Sequence, residues 1–104
     1  MYLVVFRNSK RADIDAAAYA EDAARMEALA RAQPGFRSFK SYTADDGEVV
    51  ALSEWDSEAA AKAWRRQTEH AQVQQKGRRS YYASYTLFAG EPAIIHRFTA
   101  GDET

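Results

Sequence analysis

The sequence predicts an α+β domain in which two helices cover one face of a four-stranded antiparallel sheet. Strand-like and helix-like hydrophobic periods alternate along the 104 residues in the order β-α-β-β-α-β. The two central strands are separated only by a turn, so they form a hairpin, and each helix becomes a right-handed crossover. This order is typical of a ferredoxin-like sheet. We expect one domain over residues 1–98 and a flexible tail over residues 99–104.

The N-terminal half of the chain supplies a strand, a helix and a second strand. Residues 2–8 are rich in β-branched and aromatic side chains, which predicts a strand. Asp13 is the expected N-cap of an alanine-rich helix that runs to about Ala32. A Pro-Gly pair ends this helix, and the next strand begins at Phe36. Most charged side chains of the helix, including Asp22, are expected to point away from its apolar face.

The central stretch forms the hairpin and the start of the second helix. An Asp-Asp-Gly turn leads into a strand over residues 48–55, and either Asp56 or Ser57 caps the helix that follows. We expect a kink or break in this helix near Gln67 and Thr68.

The C-terminal part supplies an aromatic strand over residues 81–89 and a short terminal strand over residues 93–98. Strict alternation along the aromatic strand would place Tyr82 and Phe88 on the face opposite Tyr85. One face is expected to line a pocket beneath the helices. A bare apolar sheet face tends to pair, so we expect the other face to form a homodimer interface.

Composition excludes several classes of function. Fourteen basic and fifteen acidic residues give a net charge of −1, which offers no field for nucleic acid or a membrane surface. Cysteine is absent, which excludes disulfides, thiolate metal sites and a cysteine nucleophile. No signal peptide or membrane span is evident, so we expect a cytoplasmic protein.

Three segments resemble the antibiotic biosynthesis monooxygenase family. They are ARAQPGFRSFKSY, DDGEVVALSEWDSEAAAKAW and EHAQVQQKGRRSYYASYTLF. The resemblance implies a dimeric α+β barrel with a pocket in each subunit between the sheet and the helices. Family members include cofactor-independent oxygenases of polycyclic aromatic polyketides and haem-degrading enzymes.

The resemblance also suggests site residues. Trp55 corresponds to a site tryptophan of the quinone-forming members, whereas Ala51, Leu52 and Ala61 stand where those members carry an asparagine and two tyrosines. An indole at this position could stack on a planar substrate, or it could serve packing alone.

A second set of matches points to haem. Asn8 and Trp64 match an asparagine and a tryptophan of the haem-degrading members, but the position of their histidine ligand falls on Gln74. Haem is therefore the alternative to a site that needs no cofactor. The alternative role of Trp64 is core packing.

His70 is the expected proton-transfer residue, because an imidazole titrates near neutral pH and this one falls beside the predicted pocket. Asn8 would donate a hydrogen bond to a developing oxyanion. Trp55, Trp64, Tyr81 and Arg66 would contact the substrate. No residue pattern indicates a metal site.

These features predict a cofactor-independent monooxygenase for an aromatic, polyketide-type small molecule in secondary metabolism. Two alternatives stay open: a haem-binding or haem-degrading protein, and a non-catalytic ligand-binding module built on the homodimer.

Overall fold

The computed structural model has the predicted α+β ferredoxin-like fold. Within residues 1–67 and 76–101, which the structure describes, four strands and two helices follow in the predicted order. They are β1 (Tyr2–Lys10), α1 (Ala16–Arg31), β2 (Phe36–Thr43), β3 (Val49–Trp55), α2 (Glu58–Arg66) and β4 (Tyr82–Gly90). The strand order is β2-β3-β1-β4, and every neighbouring pair is antiparallel.

Helix α1 begins two residues later than predicted. Its N-cap is Asp15, whose side chain accepts a hydrogen bond of 3.0 Å from the backbone nitrogen of Ala18. The prediction of Asp13 as the cap was wrong because its carboxylate pairs instead with Arg11, at 3.0 Å between Nε and Oδ1. The ion pair with Arg11 occupies Asp13, which leaves Asp15 to cap the helix.

Helix α2 begins and ends as the sequence indicates. Of the two candidate caps, Ser57 is the one used, because Asp56 forms an ion pair with Arg37 at 2.6 Å. The helix ends at Arg66, and Gln67 adopts a non-helical ψ of 127°. The predicted break in the helix is confirmed at Gln67. Thr68 lies outside the described residues.

One face of the sheet packs under both helices and the other is open. The strand register brings Val4 beside Ser53 and Asn8 beside Val49 on the helix face. The buried apolar cluster on this face consists of Val4, Ala30, Trp55, Ala61 and Trp64. This face therefore contains both the core and the space in which a ligand could be enclosed.

A bulge in β4 changes which aromatic residues share a face. The pairing moves from Ser9 with Ser84 to Lys10 with Tyr82, so one residue of β4 is skipped. An extra residue reverses the alternation of side chains beyond it. Tyr82 therefore lies on the helix face with Tyr85, and the expectation that alternation separates them was wrong.

The segment after β4 runs along the outside of the domain. The short strand predicted over residues 93–98 pairs with none of the four described strands. Pro92, just after β4, provides no backbone N–H for continued pairing. Ile94 and Phe98 are consequently 85% and 69% exposed.

In the described part of the chain, no helix combines the length and the apolar character needed to cross a membrane.

Candidate functional site

A cavity of about 400 Å³ lies between the helix face of the sheet and the two helices. This volume falls within the range of small-molecule sites. Aromatic side chains supply much of its wall: Phe6, Tyr19, Phe39, Trp64, Tyr81, Tyr82 and Tyr85. A planar apolar ligand is the kind of molecule that such a wall accommodates.

Asn8 is the buried amide of this cavity. It lies on β1 with 2% of its surface exposed, and it lines the cavity as predicted. Its Oδ1 accepts a hydrogen bond from the ammonium of Lys10, two residues further along the strand. That ammonium lies 4.6 Å from the ring centre of Tyr19 and 5.4 Å from that of Tyr82.

Trp64 lines the cavity, whereas Trp55 lies behind it in the core. Trp64 lines the cavity from α2 and stacks on Trp55 with ring centres 5.2 Å apart and planes 27° apart. Trp55 is fully buried, and its indole N–H donates to the hydroxyl of Ser53 at 3.0 Å. Trp55 was predicted to contact substrate, but the strand-to-helix junction places it behind Trp64, where it supports the wall without reaching the cavity.

A buried carboxylate contributes a polar part of the cavity wall. Asp22 of α1 is 5% exposed, and its Oδ2 accepts a hydrogen bond from the hydroxyl of Tyr81. Lys76 lies 3.1 Å from the same oxygen, and Arg25 lies 2.7 Å from Oδ1. Asp22 and Tyr81 both line the cavity.

This network shifts the pKa values of Asp22, Tyr81 and Lys76. The hydrogen bond from Tyr81, together with Lys76 and the charge of Arg25, outweighs burial and holds the pKa of Asp22 below its usual value. Burial, reinforced by the Asp22 carboxylate, raises the pKa of Tyr81. Asp22 is therefore an ionised acceptor at neutral pH, and Tyr81 keeps its proton.

A π-helical turn, Gly77–Tyr81, brings Tyr81 to this position. The turn ends where β4 begins, and the carbonyl of Tyr81 accepts a hydrogen bond of 2.8 Å from the backbone nitrogen of Arg11. Irregular helical turns of this kind occur often at functional sites. The sequence predicted Tyr81 as a strand residue, and its place on the cavity follows from the turn.

The model of a known family matches residues 1–76 of this chain, and its description is "Antibiotic biosynthesis monooxygenase". The match covers more than half of the 104 residues. The chain belongs to the antibiotic biosynthesis monooxygenase family. A relative in Bacillus subtilis (strain 168), the uncharacterized protein YqjZ, is 41% identical over 86 residues, which are 83% of this chain and 74% of YqjZ.

Solved structures share the fold of this family member at low identity. A putative antibiotic biosynthesis monooxygenase from Deinococcus radiodurans superposes with a TM-score of 0.80 at 14% identity, over 95% of this chain and 99% of that one. SnoaB, a cofactor-independent oxygenase from Streptomyces nogalater, superposes with a TM-score of 0.73 at 18% identity, over 97% of each chain.

The arginine that this family member presents to the cavity is Arg65, whereas the sequence pointed to Arg66. Arg66 is exposed on the outer side of α2, in a shallow depression shared with Glu58 and Lys62. Successive helical residues point about 100° apart. The predicted arginine was therefore wrong by one position along the helix.

Asp22 was not among the site residues predicted from sequence. It was assigned to the polar side of α1, but it lies three residues after Tyr19 and four before Met26, which is the spacing of one helix face. All three residues line the cavity. The available signal was a carboxylate within an otherwise apolar stripe, a position that requires a buried partner.

The described lining offers no histidine to haem iron, although Met26 and several tyrosines line the cavity. Haem iron in proteins is held by histidine, cysteine, methionine or tyrosine. Among the described lining residues no imidazole occurs, and the hydroxyl of Tyr81 is already bonded to Asp22. The predicted proton-transfer residue, His70, lies outside the described residues. Among those described, no cluster of three potential metal-ligating side chains occurs.

Proposed function

We propose that this family member is a cofactor-independent oxygenase that oxidises an aromatic small molecule of the polyketide type in secondary metabolism. The observation that carries the proposal is the aromatic cavity with the buried Asn8 amide in its wall. The cavity can enclose a planar ring system and exclude water, while the amide offers a hydrogen bond to oxygen. The fold that this chain shares with SnoaB is consistent with such a role. The cytoplasmic location expected from the sequence remains part of this proposal.

The chemistry requires no bound redox group, because the substrate itself supplies the electrons. A methylene carbon activated by phenol-bearing rings loses a proton to give a resonance-stabilised anion. The anion adds to O₂, and protonation gives a hydroperoxide. Loss of water from that hydroperoxide leaves a carbonyl. One O₂ thus converts one CH₂ into one C=O and one H₂O.

The residues take distinct parts in this scheme. Trp64 and Tyr81 hold the rings, and Asn8 donates a hydrogen bond to the oxyanion that forms when the substrate is deprotonated. His70 is proposed as the residue that accepts the proton and returns it to the hydroperoxide. Trp55 contributes through its stack on Trp64, which fixes the plane against which the substrate lies.

Oxygen uptake tests the proposal directly. The purified protein, freed of metals by chelation, is mixed with several anthrone-type phenols, and oxygen consumption is followed together with quinone formation. We expect uptake above the buffer blank, with one O₂ consumed for each quinone formed. Labelled ¹⁸O₂ should enter the new carbonyl. No uptake above the blank with any substrate would refute the proposal.

Titration with haemin distinguishes a haem-binding protein from a cofactor-independent oxygenase. A cofactor-independent site predicts no saturable Soret shift that depends on His70. A saturable shift that weakens in His70→Ala would replace the proposal with haem chemistry. Saturable binding of anthrone-type phenols without oxygen uptake would favour a non-catalytic binding module.

We also propose that the protein acts as a homodimer joined through the open face of its sheet. The strand register places Val5, Leu52 and Phe88 on this face, away from the helices. The exposed Ile94 and Phe98 of the C-terminal segment add apolar surface outside the domain. A second copy of the chain would cover these side chains, and the strand expected over residues 93–98 could then pair with the partner's sheet.

A further inference from the structure

Lys10 is a cation placed behind the wall of the cavity. Its ammonium lies over the rings of Tyr19 and Tyr82, both of which line the cavity. A cation over two aromatic faces is attracted to both and is restricted in position. The side chain of Lys10 is therefore held at the end of β1 and does not extend freely into solvent.

The bulge in β4 creates this arrangement. It sets Lys10 beside Tyr82 while Asn8 stays beside Tyr85, so that both residues of β1 face the helix side next to a tyrosine. Without the skipped residue, Tyr82 would point to the open face. Lys10 would then lose one of its two aromatic partners.

The fixed ammonium determines how the amide of Asn8 is oriented. An ammonium group can only donate hydrogen bonds, so it binds the amide oxygen and never the NH₂ group. Lys10 donates to Oδ1 of Asn8. In the described part of the chain, this is the hydrogen bond that the Asn8 side chain makes. Its NH₂ group, at the opposite end of the planar amide, is left to a ligand in the cavity.

We propose that Lys10 is a positioning residue that orients the Asn8 amide, so that its NH₂ group binds an anionic oxygen of the ligand. The class of ligand is an aromatic phenolate, a choice that rests on the proposed function. The nearby positive charge and the oriented donor both favour the ionised form of a phenol over the neutral one. The deprotonated substrate is therefore stabilised at the Asn8 end of the cavity.

Alizarin, a dihydroxyanthraquinone dye, tests this role without oxygen chemistry. Its visible absorption reports whether its phenol groups are ionised, so one titration gives both the affinity and the pKa of the bound dye. With wild-type protein we expect saturable binding and ionisation at a lower pH than in solution. In Lys10→Met we expect about tenfold weaker binding of the anionic dye and loss of the pKa shift.

Matched variants distinguish a change in the orientation of the Asn8 amide from a general loss of structure. Lys10→Arg keeps the donor and the charge and should restore both readouts. Lys62→Met removes an exposed lysine of α2 that pairs with Glu58 at 2.6 Å, and it should behave as wild type. If Lys10→Met does not fold, Lys10→Gln keeps a donor without the charge and should bind the dye with its pKa shift reduced.

A double-mutant cycle identifies Asn8 as the intermediary. Asn8→Ala should weaken binding of the anionic dye as Lys10→Met does, and the loss in the double variant should be smaller than the sum of the two single losses, because part of the effect of Lys10 passes through Asn8. Full additivity would overturn the inference, as would a Lys10→Met variant with wild-type affinity and pKa shift, or a wild-type protein that binds no dye. Oxygen uptake that persists while these dye results fail would retain the proposed function and reject the role of Lys10.

Discussion

Asp22 carries a negative charge inside the domain, and its partners determine whether that charge is tolerated. A buried carboxylate without partners costs several kcal/mol, because water solvates the charge far better than the protein interior does. Tyr81 and Lys76 both contact Oδ2 of Asp22, and Arg25 contacts Oδ1. The network joins α1 to the turn before β4, so it stabilises the fold at the edge of the cavity.

Replacing the charge while keeping the shape measures its contribution. We expect Asp22→Asn to lower the free energy of unfolding by about 1–3 kcal/mol, because charge-assisted hydrogen bonds to Tyr81 and Lys76 are lost. Urea denaturation at neutral pH gives this value. Asp13→Asn, which removes the exposed pair with Arg11, should leave the midpoint nearly unchanged. An Asp22→Asn variant as stable as wild type would contradict the assignment of a stabilising network.

The lowered pKa of Asp22 also predicts how stability depends on pH. The unfolded chain binds a proton at this carboxyl near its ordinary pKa of about 3.9, whereas the folded protein binds it only at lower pH. The contribution of Asp22 is therefore complete above the unfolded pKa and is lost as pH falls through the folded pKa. We expect the urea midpoint of wild type to fall more steeply below about pH 4 than that of Asp22→Asn. Equal slopes would show that Asp22 is not the titrating group.

Single residues were predictable from sequence where regular alternation or the family resemblance applied. The family resemblance pointed to Asn8 on β1 and to Trp64 on α2, and both line the cavity. Asp22 was missed because charge was taken as a sign of exposure. A charged group can line a cavity when partners compensate for it, and the buried partner of Asp22 lies far away in sequence: Tyr81 is 59 residues from Asp22.

At the scale of elements, the turn before β2 brings the backbone against the start of α2. Gly35 has a φ of +84°, and a Cβ built on it would lie 2.7 Å from the Cβ of Ala60. Its carbonyl also accepts a hydrogen bond of 2.8 Å from the backbone nitrogen of Asp56. The approach holds α2, and with it Trp64, against the sheet.

Gly35 and Gly47 have similar positive φ angles, but only Gly35 lies against another element. Replacing each with alanine therefore distinguishes the cost of the close contact from the cost of the backbone conformation. Gly35→Ala should cost more than about 1 kcal/mol, because it combines an unfavourable φ with a contact that Ala60 cannot relieve without moving α2. Gly47→Ala has a φ of +90° with no atom within 4 Å of the new Cβ, so it should cost less. Urea denaturation of both variants gives the comparison. Equal losses would show that the close approach to Ala60 contributes nothing.

The order and type of the main elements could be predicted because hydrophobic period and turn residues are local signals. The bulge in β4 was not, because it depends on the pairing of Lys10 with Tyr82 across two strands. One skipped residue moved a tyrosine from the open face to the cavity. The face that Tyr82 occupies therefore depends on a non-local feature of the sheet.

For the whole molecule, the open face of the sheet predicts association. Light scattering after size exclusion should give about twice the chain mass of 11.7 kDa at micromolar concentration. Leu52→Glu should reduce this to the mass of a monomer, because it places a charge in the proposed interface. Ala59→Glu, on the exposed side of α2, is the matched control and should stay dimeric.

Removing the C-terminal segment is an independent test of the same interface. A chain that ends at Glu91 lacks the exposed Ile94, Ile95 and Phe98 and should dissociate at higher protein concentration than the full chain. A wild-type protein that is monomeric at micromolar concentration would contradict the homodimer. An unchanged dissociation constant in the shortened chain would remove the segment from the interface.

The central claim is that the aromatic cavity carries out the oxidation, and blocking that cavity tests it most directly. Ala51→Trp fills the space from β3, whereas Ala59→Trp adds the same side chain on the exposed side of α2. With an anthrone-type phenol, we predict oxygen uptake by wild type and by Ala59→Trp, and none above the blank by a folded Ala51→Trp. Uptake by Ala51→Trp at the wild-type rate would show that the reaction does not occur in this cavity.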